Sequence, residues 1–235
     1  ELLAETLSQS WDRVKLREQL RPIITYYSEW NGKQKNSDPN FEEISDNIIS
    51  KQQQALKRMN EGLDLLCGKE GEEENQINKD VRLAFCFANK ALSTQYDWAH
   101  PDETGGFKYR PFQIAFILIS LESTILKDSD SRRICDLLWV PTGTGKTEAY
   151  LGLIAFNLAL RRLRETGWNK YGITVIMQYT YRLLTLQQFQ RASALMCACE
   201  YERRKNKEKW GDEPFSVDLF VGDKTTPNDL KTAKK

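Results

Sequence analysis

Residues 136–147 read DLLWVPTGTGKT, and they are the most informative segment of this 235-residue chain. Four apolar residues follow Asp136 without interruption, which is typical of a short strand buried on both faces. Gly143 and Gly145 permit a tight turn, and a helix is expected from Thr147 to about Glu165. A strand, a glycine-rich turn and a helix in this order predict a loop whose backbone N–H groups converge on an anion.

The loop carries the side chains that a bound triphosphate requires. Lys146 would reach the β- and γ-phosphates, and the Thr147 hydroxyl would coordinate Mg²⁺. We therefore predict ATP and Mg²⁺ as cofactors, with Lys146 and Thr147 in the catalytic roles. The predicted nucleotide contacts in this loop are Thr142, Gly143, Thr144, Gly145, Lys146 and Thr147. Val140 occupies the position of the first glycine in the strict pattern G-x-x-x-x-G-K-[ST], and a chance glycine–threonine loop before a helix is the alternative.

The first 95 residues predict helices only. A long helical pattern runs from Leu2 to Trp30, a second covers Phe41–Cys67, and a third covers Asp80–Gln95, each with apolar residues recurring near a spacing of 3.6. The following stretch, Asp97–Gly106, contains proline and two glycines, which is typical of a boundary between domains.

The rest of the chain predicts an α/β fold. Two further β-rich runs, Ile173–Tyr179 and Phe215–Val221, are separated by a helical stretch at Leu183–Glu202. Alternating strands and helices favour a RecA-like P-loop parallel sheet with flanking helices. The chain is thus predicted to divide into an all-helical region, residues 1–100, and an incomplete P-loop domain, residues 101–235.

The composition is that of a soluble globular protein, with 40% hydrophobic and 29% charged residues. Because the net charge is only +1, any nucleic-acid partner would need a local basic surface.

Five cysteines, an odd number, favour free thiols in a reducing compartment. Cys197 and Cys199 lack the further ligands of a zinc site, since His100 is the only histidine, so no zinc is expected. No run approaches the roughly 18 apolar residues of a membrane span, so no membrane partner is expected.

Two motifs resemble those of superfamily 2 helicases. The stretch PTGTGKT, residues 141–147, resembles motif I of that superfamily, in which the first glycine position is relaxed. Upstream, Arg110, Phe112 and Gln113 resemble its R-P-x-Q entry motif. The resemblance implies that the Gln113 amide reads adenine by donating and accepting at once, while Phe112 or a nearby aromatic ring stacks on the base. An ordinary helix start, with Phe112 in the core and Gln113 exposed, is the alternative.

A third motif implies contact with nucleic acid. The stretch TYRLLTLQ, residues 180–187, resembles motif Ia, T-R-x-L-x-x-Q, which grips the backbone of one strand. The resemblance implies sequence-independent DNA contacts from Thr180, Arg182 and Gln187. A helix N-terminus capped by Thr180, with its polar groups in solvent, is the alternative.

Longer stretches resemble the DrmA family, the helicase subunit of the bacterial DISARM phage-defence system. They are Val81–Leu92, Arg110–Leu118, Trp139–Phe156 and Tyr179–Ala192. The resemblance implies a bacterial cytoplasmic ATPase that engages DNA in antiviral defence and works with a second helicase-like subunit.

Two parts of a complete motor have no match in the sequence, the acidic motif Asp-Glu-x-His and the second domain with its arginine finger. We therefore interpret the chain as an N-terminal part of a longer motor that hydrolyses ATP barely or not at all alone. One alternative is the motor subunit of a restriction, repair or remodelling translocase. Another is a P-loop structural or switch module without motor activity.

Overall fold

The computed structural model describes residues 2–34, 39–179 and 182–220, excluding the side chains of residues 182 and 183. These residues form eight α-helices: α1 (Ala4–Ser8), α2 (Arg13–Gly32), α3 (Glu42–Cys67), α4 (Gln76–Ala99), α5 (Pro111–Ile125), α6 (Lys146–Arg164), α7 (Arg182–Lys205) and α8 (Lys207–Trp210). Short 3-10 turns lie at Pro39–Phe41, Asp130–Arg133 and Gly167–Tyr171.

Local sequence signals explain where several helices begin. The Asp12 carboxylate accepts hydrogen bonds from the backbone N–H groups of Val14 and Lys15, at 2.9 and 3.3 Å, and so caps α2. Asn75 and Asn78 form a reciprocal capping box at the start of α4. α5 begins at Pro111, whose missing N–H costs nothing in the first turn.

Helix α4 lies at the centre of the molecule and packs against α1, α3, α6 and α7. α5 completes the core by packing between α3 and α6. The largest fully buried side chains come from these helices and α2, and they include Leu16, Leu20, Leu63, Phe85, Leu118, Leu151 and Phe156. Burying each such side chain stabilises the fold by about 1.5–3 kcal/mol, so these packed helices supply most of the hydrophobic stabilisation.

The helical region also contacts the segment that leads to the glycine loop. Arg58 of α3 is buried and donates to both carboxylate oxygens of Asp136, at 2.6 and 2.7 Å. Arg58 also donates to the carbonyl oxygen of Ile119 in α5 at 3.0 Å. The predicted division near residue 100 stays a prediction, and the contacts just described cross it.

The predicted α/β fold with a RecA-like parallel sheet is wrong for the described residues. None of them lies in a strand, and the β-type pairing seen among them is one isolated antiparallel bridge between Leu3 and Lys108. The runs predicted as strands, 136–140 and 173–179 and the described part of 215–221, are irregular.

Exposure of their side chains gives the physical reason. Leu137, Trp139, Ile173, Ile176 and Phe220 are between 83% and 90% exposed. An apolar run indicates a tendency towards burial, but a strand also needs a neighbouring strand to receive its backbone hydrogen bonds. In the described part of the chain these runs have no such neighbour, so their apolar content alone did not produce a sheet.

Within the described ranges, no helix combines the length and apolar character needed to cross a membrane.

Candidate nucleotide site

The glycine-rich loop leads directly into the N-terminus of α6, which begins at Lys146, one residue before the predicted start. Gly143 and Gly145 have backbone φ angles of +75° and +90°. Residues that carry a Cβ atom rarely adopt this left-handed region. Gly145 is also the residue that precedes the first turn of the helix. The loop conformation therefore depends on glycine at both positions.

Lys146 folds back over the loop. Its ammonium group donates to the carbonyl oxygens of Val140 at 2.6 Å and Pro141 at 2.9 Å. The Thr144 hydroxyl donates to the same Pro141 carbonyl at 2.7 Å. A positive charge thus already lies among the loop residues, held by contacts that an anion would replace.

Gln113 connects helix α5 to the loop. The side chain is buried, with 2% exposure, so the alternative of an exposed glutamine does not hold. Its amide nitrogen donates to the carbonyl oxygen of Gly145 at 2.6 Å, and its amide oxygen accepts from the Arg110 backbone N–H at 2.6 Å. The amide donates and accepts at once, but both partners are protein groups, and the predicted contact with adenine stays a prediction. Phe112 is half-buried and Arg110 is exposed.

Sequence reasoning missed an ion pair beside the loop. The Glu148 carboxylate, one residue after Thr147, is paired with the guanidinium of Arg191 in α7. Gln95 of α4 donates to the backbone carbonyl of Arg191 at 3.1 Å. The position of Glu148 could have been recognised from the sequence, because acidic residues are favourable in the first turn of a helix. Its partner lies 43 residues further along the chain and had no local signal.

The predicted DNA contacts are only partly within the described residues. Thr180 lies outside them, and so does the side chain of Arg182, whose backbone begins α7. Gln187 is exposed on α7, one helical turn before Arg191. The structure therefore brings one predicted DNA contact onto the same helix that reaches the glycine loop.

The loop fits the cofactors predicted for it. It stands at the N-terminus of a 19-residue helix, where backbone N–H groups and the helix dipole favour an anion. Thr147 is half-buried in the first turn. Magnesium bound together with ATP needs only one or two protein oxygens, and this hydroxyl can supply one. Among the described side chains, no group of three or more His, Cys, Asp or Glu residues is arranged to hold a metal ion.

A large cavity lies elsewhere, between α6, α7, the end of the 3-10 turn Gly167–Tyr171 and the irregular segments 172–179 and 214–220. Its volume is about 1280 Å³, and none of the predicted site residues whose side chains the structure describes lines it. At its edge the buried Arg162 guanidinium stacks on the rings of Tyr171 and Phe215, at 4.4 and 4.7 Å from their centroids. The residues predicted to bind nucleotide therefore lie apart from this cavity.

Left-handed glycines followed by a lysine at a helix N-terminus are the features from which we predict that this loop binds phosphate. The chain is 36% identical to the DISARM protein DrmA of Bacillus paralicheniformis over 235 aligned positions. The alignment covers 93% of this chain and 20% of that protein, so the chain spans about a fifth of the length of its relative. This identity supports a DrmA-like relation along nearly the whole chain. No protein-family model matches it.

Proposed function

We propose that this chain is the ATP-binding part of an ATP-dependent DNA helicase or translocase that acts in bacterial anti-phage defence. The observation that carries the proposal is the loop geometry, with Gly143 and Gly145 in left-handed conformations directly before Lys146 at the start of α6. The likeness to a DISARM protein supports the defence role. The bacterial cytoplasm is the compartment in which we expect it to act.

Binding of a triphosphate would use groups that are already in place. Lys146 would exchange its two carbonyl contacts, at 2.6 and 2.9 Å, for the more strongly charged β- and γ-phosphate oxygens. The Thr147 hydroxyl would hold Mg²⁺, which neutralises phosphate charge when bound. The backbone N–H groups from Thr142 to Gly145 would orient the phosphates without any change in secondary structure.

DNA would bind along α7 through its backbone. Gln187 is exposed there and can donate to phosphate or sugar oxygens without reading a base. Thr180 and Arg182 complete the proposed set on resemblance alone. A second helicase-like defence subunit is the proposed protein partner. A restriction, repair or remodelling translocase keeps the same roles for these residues.

One observation favours a structural loop instead. Both Lys146 and Gln113 already have protein partners within 3 Å, so the loop is held without a ligand. In that case the chain would be a P-loop structural module, and nucleotide would not bind.

The first prediction separates these functions. We expect a fluorescent ATP analogue to bind in the presence of Mg²⁺, and Lys146→Ala to weaken that binding at least about tenfold, a loss of roughly 1.4 kcal/mol. Equilibrium fluorescence titration measures the dissociation constant of each variant. Lys69→Ala, at an exposed lysine outside the loop, is the control and should leave the constant unchanged. Equal binding by wild type and Lys146→Ala would refute the proposed site.

A further inference from the structure

One ion pair joins the first turn of α6 to α7. Glu148 follows Thr147 immediately, and its side chain is 24% exposed, while that of Arg191 is 40% exposed. Between the described residues of α6 and α7, this pair is the charged connection closest in sequence to the loop. Through this pair, the Arg191 side chain of the proposed DNA-binding helix contacts the residue that follows Thr147 in the proposed phosphate site.

The Arg191 end of the pair is held in position. Gln95 of the central helix α4 donates to the Arg191 backbone carbonyl at 3.1 Å. α4 packs along both α6 and α7. The Gln95 contact and the packing of α4 therefore link the Arg191 end of the pair to the central helix.

The Glu148 end of the pair lies beside the loop. One carboxylate oxygen pairs with Arg191, and the other is buried without a hydrogen-bond partner. That second oxygen lies 3.1 Å from the place where a Cβ atom on Gly145 would stand, and the Gly145 carbonyl accepts from Gln113. A buried acceptor without a donor is unfavourable, so a change in the loop that offers it a donor would be stabilised.

The charges explain why the pair is needed. A carboxylate next to Thr147 would repel a triphosphate in the loop, since like charges at close range destabilise each other. Arg191 supplies the compensating positive charge from α7. With Arg191 paired to it, Glu148 repels an anion in the loop less strongly.

We propose that Arg191 is a positioning residue that couples nucleotide binding in the loop to DNA binding along α7, acting through Glu148. This inference rests on the proposed function, because it assigns ATP to the loop and DNA to the helix. Arg191 contacts neither ligand. Its role is to hold Glu148 neutralised and to transmit a movement of the loop to the exposed face of α7 that carries Gln187.

The coupling test measures single-stranded DNA binding by the full chain with and without a non-hydrolysable ATP analogue and Mg²⁺. We expect the analogue to change the DNA dissociation constant of the wild type by about 5-fold or more, the lower end of typical coupling between sites. The coupling ratio is the DNA dissociation constant without the analogue divided by that with it, and in Arg191→Met it should fall below about 2-fold. Nucleotide affinity of this variant should also drop, because Glu148 loses its partner. Arg191→Lys keeps the charge and should retain part of the ratio.

Two further variants make the result specific. Glu148→Gln combined with Arg191→Met removes both charges, so nucleotide affinity should return while the coupling ratio stays low. Lys205→Met breaks a different ion pair of α7, the one with Glu202, and should behave as the wild type. A coupling ratio in Arg191→Met equal to that of the wild type overturns the inference, provided that thermal melting shows both proteins folded.

Hydrogen exchange without any ligand distinguishes the two proposals. Arg191→Met should accelerate amide exchange both in residues 141–150 and in residues 186–195, whereas Lys205→Met should not. Unchanged exchange overturns the link between loop and helix even if nucleotide binds. Failure of the wild type to bind nucleotide overturns the proposed function instead, and the exchange result then still decides whether Arg191 connects the two segments.

Discussion

Gln113 supports the loop through hydrogen bonds to two backbone groups of the protein. Its amide oxygen accepts a hydrogen bond from the Arg110 backbone N–H. Its amide nitrogen donates to the carbonyl oxygen of Gly145, which lies 32 residues further along the chain. The side chain is almost completely buried. Any replacement that cannot both donate and accept therefore leaves one of these backbone groups without its partner.

The second prediction concerns this side chain. Gln113→Ala should lower the free energy of unfolding by about 1–3 kcal/mol, because two hydrogen-bonded backbone groups lose their partner. Urea denaturation at neutral pH measures the change. Gln187→Ala removes an exposed glutamine of α7 and is the matched control, with an expected change within about 0.5 kcal/mol. If Gln113→Ala lowered the free energy of unfolding no more than the control does, Gln113 would not stabilise the loop through these hydrogen bonds.

Two carboxylates at the α3–α5 contact have pKa values shifted in opposite directions. Burial and a shared hydrogen bond with Glu122 raise the pKa of Glu61. Burial acts to raise the pKa of Glu122 too, but hydrogen bonds donated by Ser129 and Ser131, each at 2.7 Å, outweigh it and lower that pKa. Glu61 is thus the group that tends to keep the proton.

The third prediction follows from the sign of the Glu61 shift. A raised pKa means that the folded chain holds the proton more tightly than the unfolded chain. Its stabilising contribution is therefore present below the unfolded pKa and is lost as the pH rises through the folded pKa. Glu61→Gln should then melt a few degrees above the wild type at pH 7, and the difference should shrink towards pH 4.

Glu122→Gln provides the opposite case. Its lowered pKa gives a contribution that is present above the unfolded pKa and lost as the pH falls through the folded pKa. The variant should melt below the wild type at pH 7 and approach it in acid. Thermal melting at several pH values tests both variants. A Glu61→Gln protein less stable than the wild type at pH 7 would contradict the raised pKa of Glu61.

At the scale of the helices, α3 shows the limit of a periodic pattern. Its apolar residues recur along the whole helix, yet Ile44 and Ile48 are 59% and 51% exposed, whereas Met59, Leu63 and Leu66 are buried. The spacing correctly indicated a helix over nearly the same range. Which turns are covered depends on where α2, α4 and α5 pack, and the spacing carries no information about that.

The backbones of α3 and α5 approach each other closely at Gly62, where the two helices pack together. A Cβ atom on Gly62 would lie 2.9 Å from the carbonyl carbon of Leu118 and closer still to its oxygen. Backbone atoms cannot move aside as a flexible side chain can. Glycine is therefore required for the packing of these two helices, although it is unfavourable within a helix by itself.

The fourth prediction is that Gly62→Ala lowers the free energy of unfolding by about 3 kcal/mol, the upper range for overpacking a core. Gly32→Ala, at the end of α2, has no atom within 4 Å of the added methyl group and should be neutral or slightly stabilising. Urea denaturation compares the two variants. Similar effects of both substitutions would mean that α3 and α5 are further apart than described.

At the scale of the whole molecule, α4 connects the two regions that the sequence predicted as separate. It packs on α1 and α3 before residue 100 and on α6 and α7 after it. The buried side chains of all these helices form one hydrophobic core. A disturbance of α4 is therefore transmitted to both α6 and α7.

Local sequence was sufficient wherever the signal is local. A spacing near 3.6 and glycines suited to left-handed φ act within a few positions, so the existence of the helices and of the loop before α6 was predictable, although the pattern predicted from Leu2 to Trp30 divides into α1 and α2. The roles of Lys146, Thr147 and Gln187 in binding remain predictions.

Packing decided the features that depend on distant partners. Glu148 meets Arg191 across 43 residues, Gln113 meets Gly145 across 32, and Arg58 meets Asp136 across 78. Strand pairing is non-local in the same way, and that is why apolar runs suggested a sheet that the described residues do not form. A residue can signal in sequence that it needs a partner, but only the tertiary structure brings that partner within 3 or 4 Å.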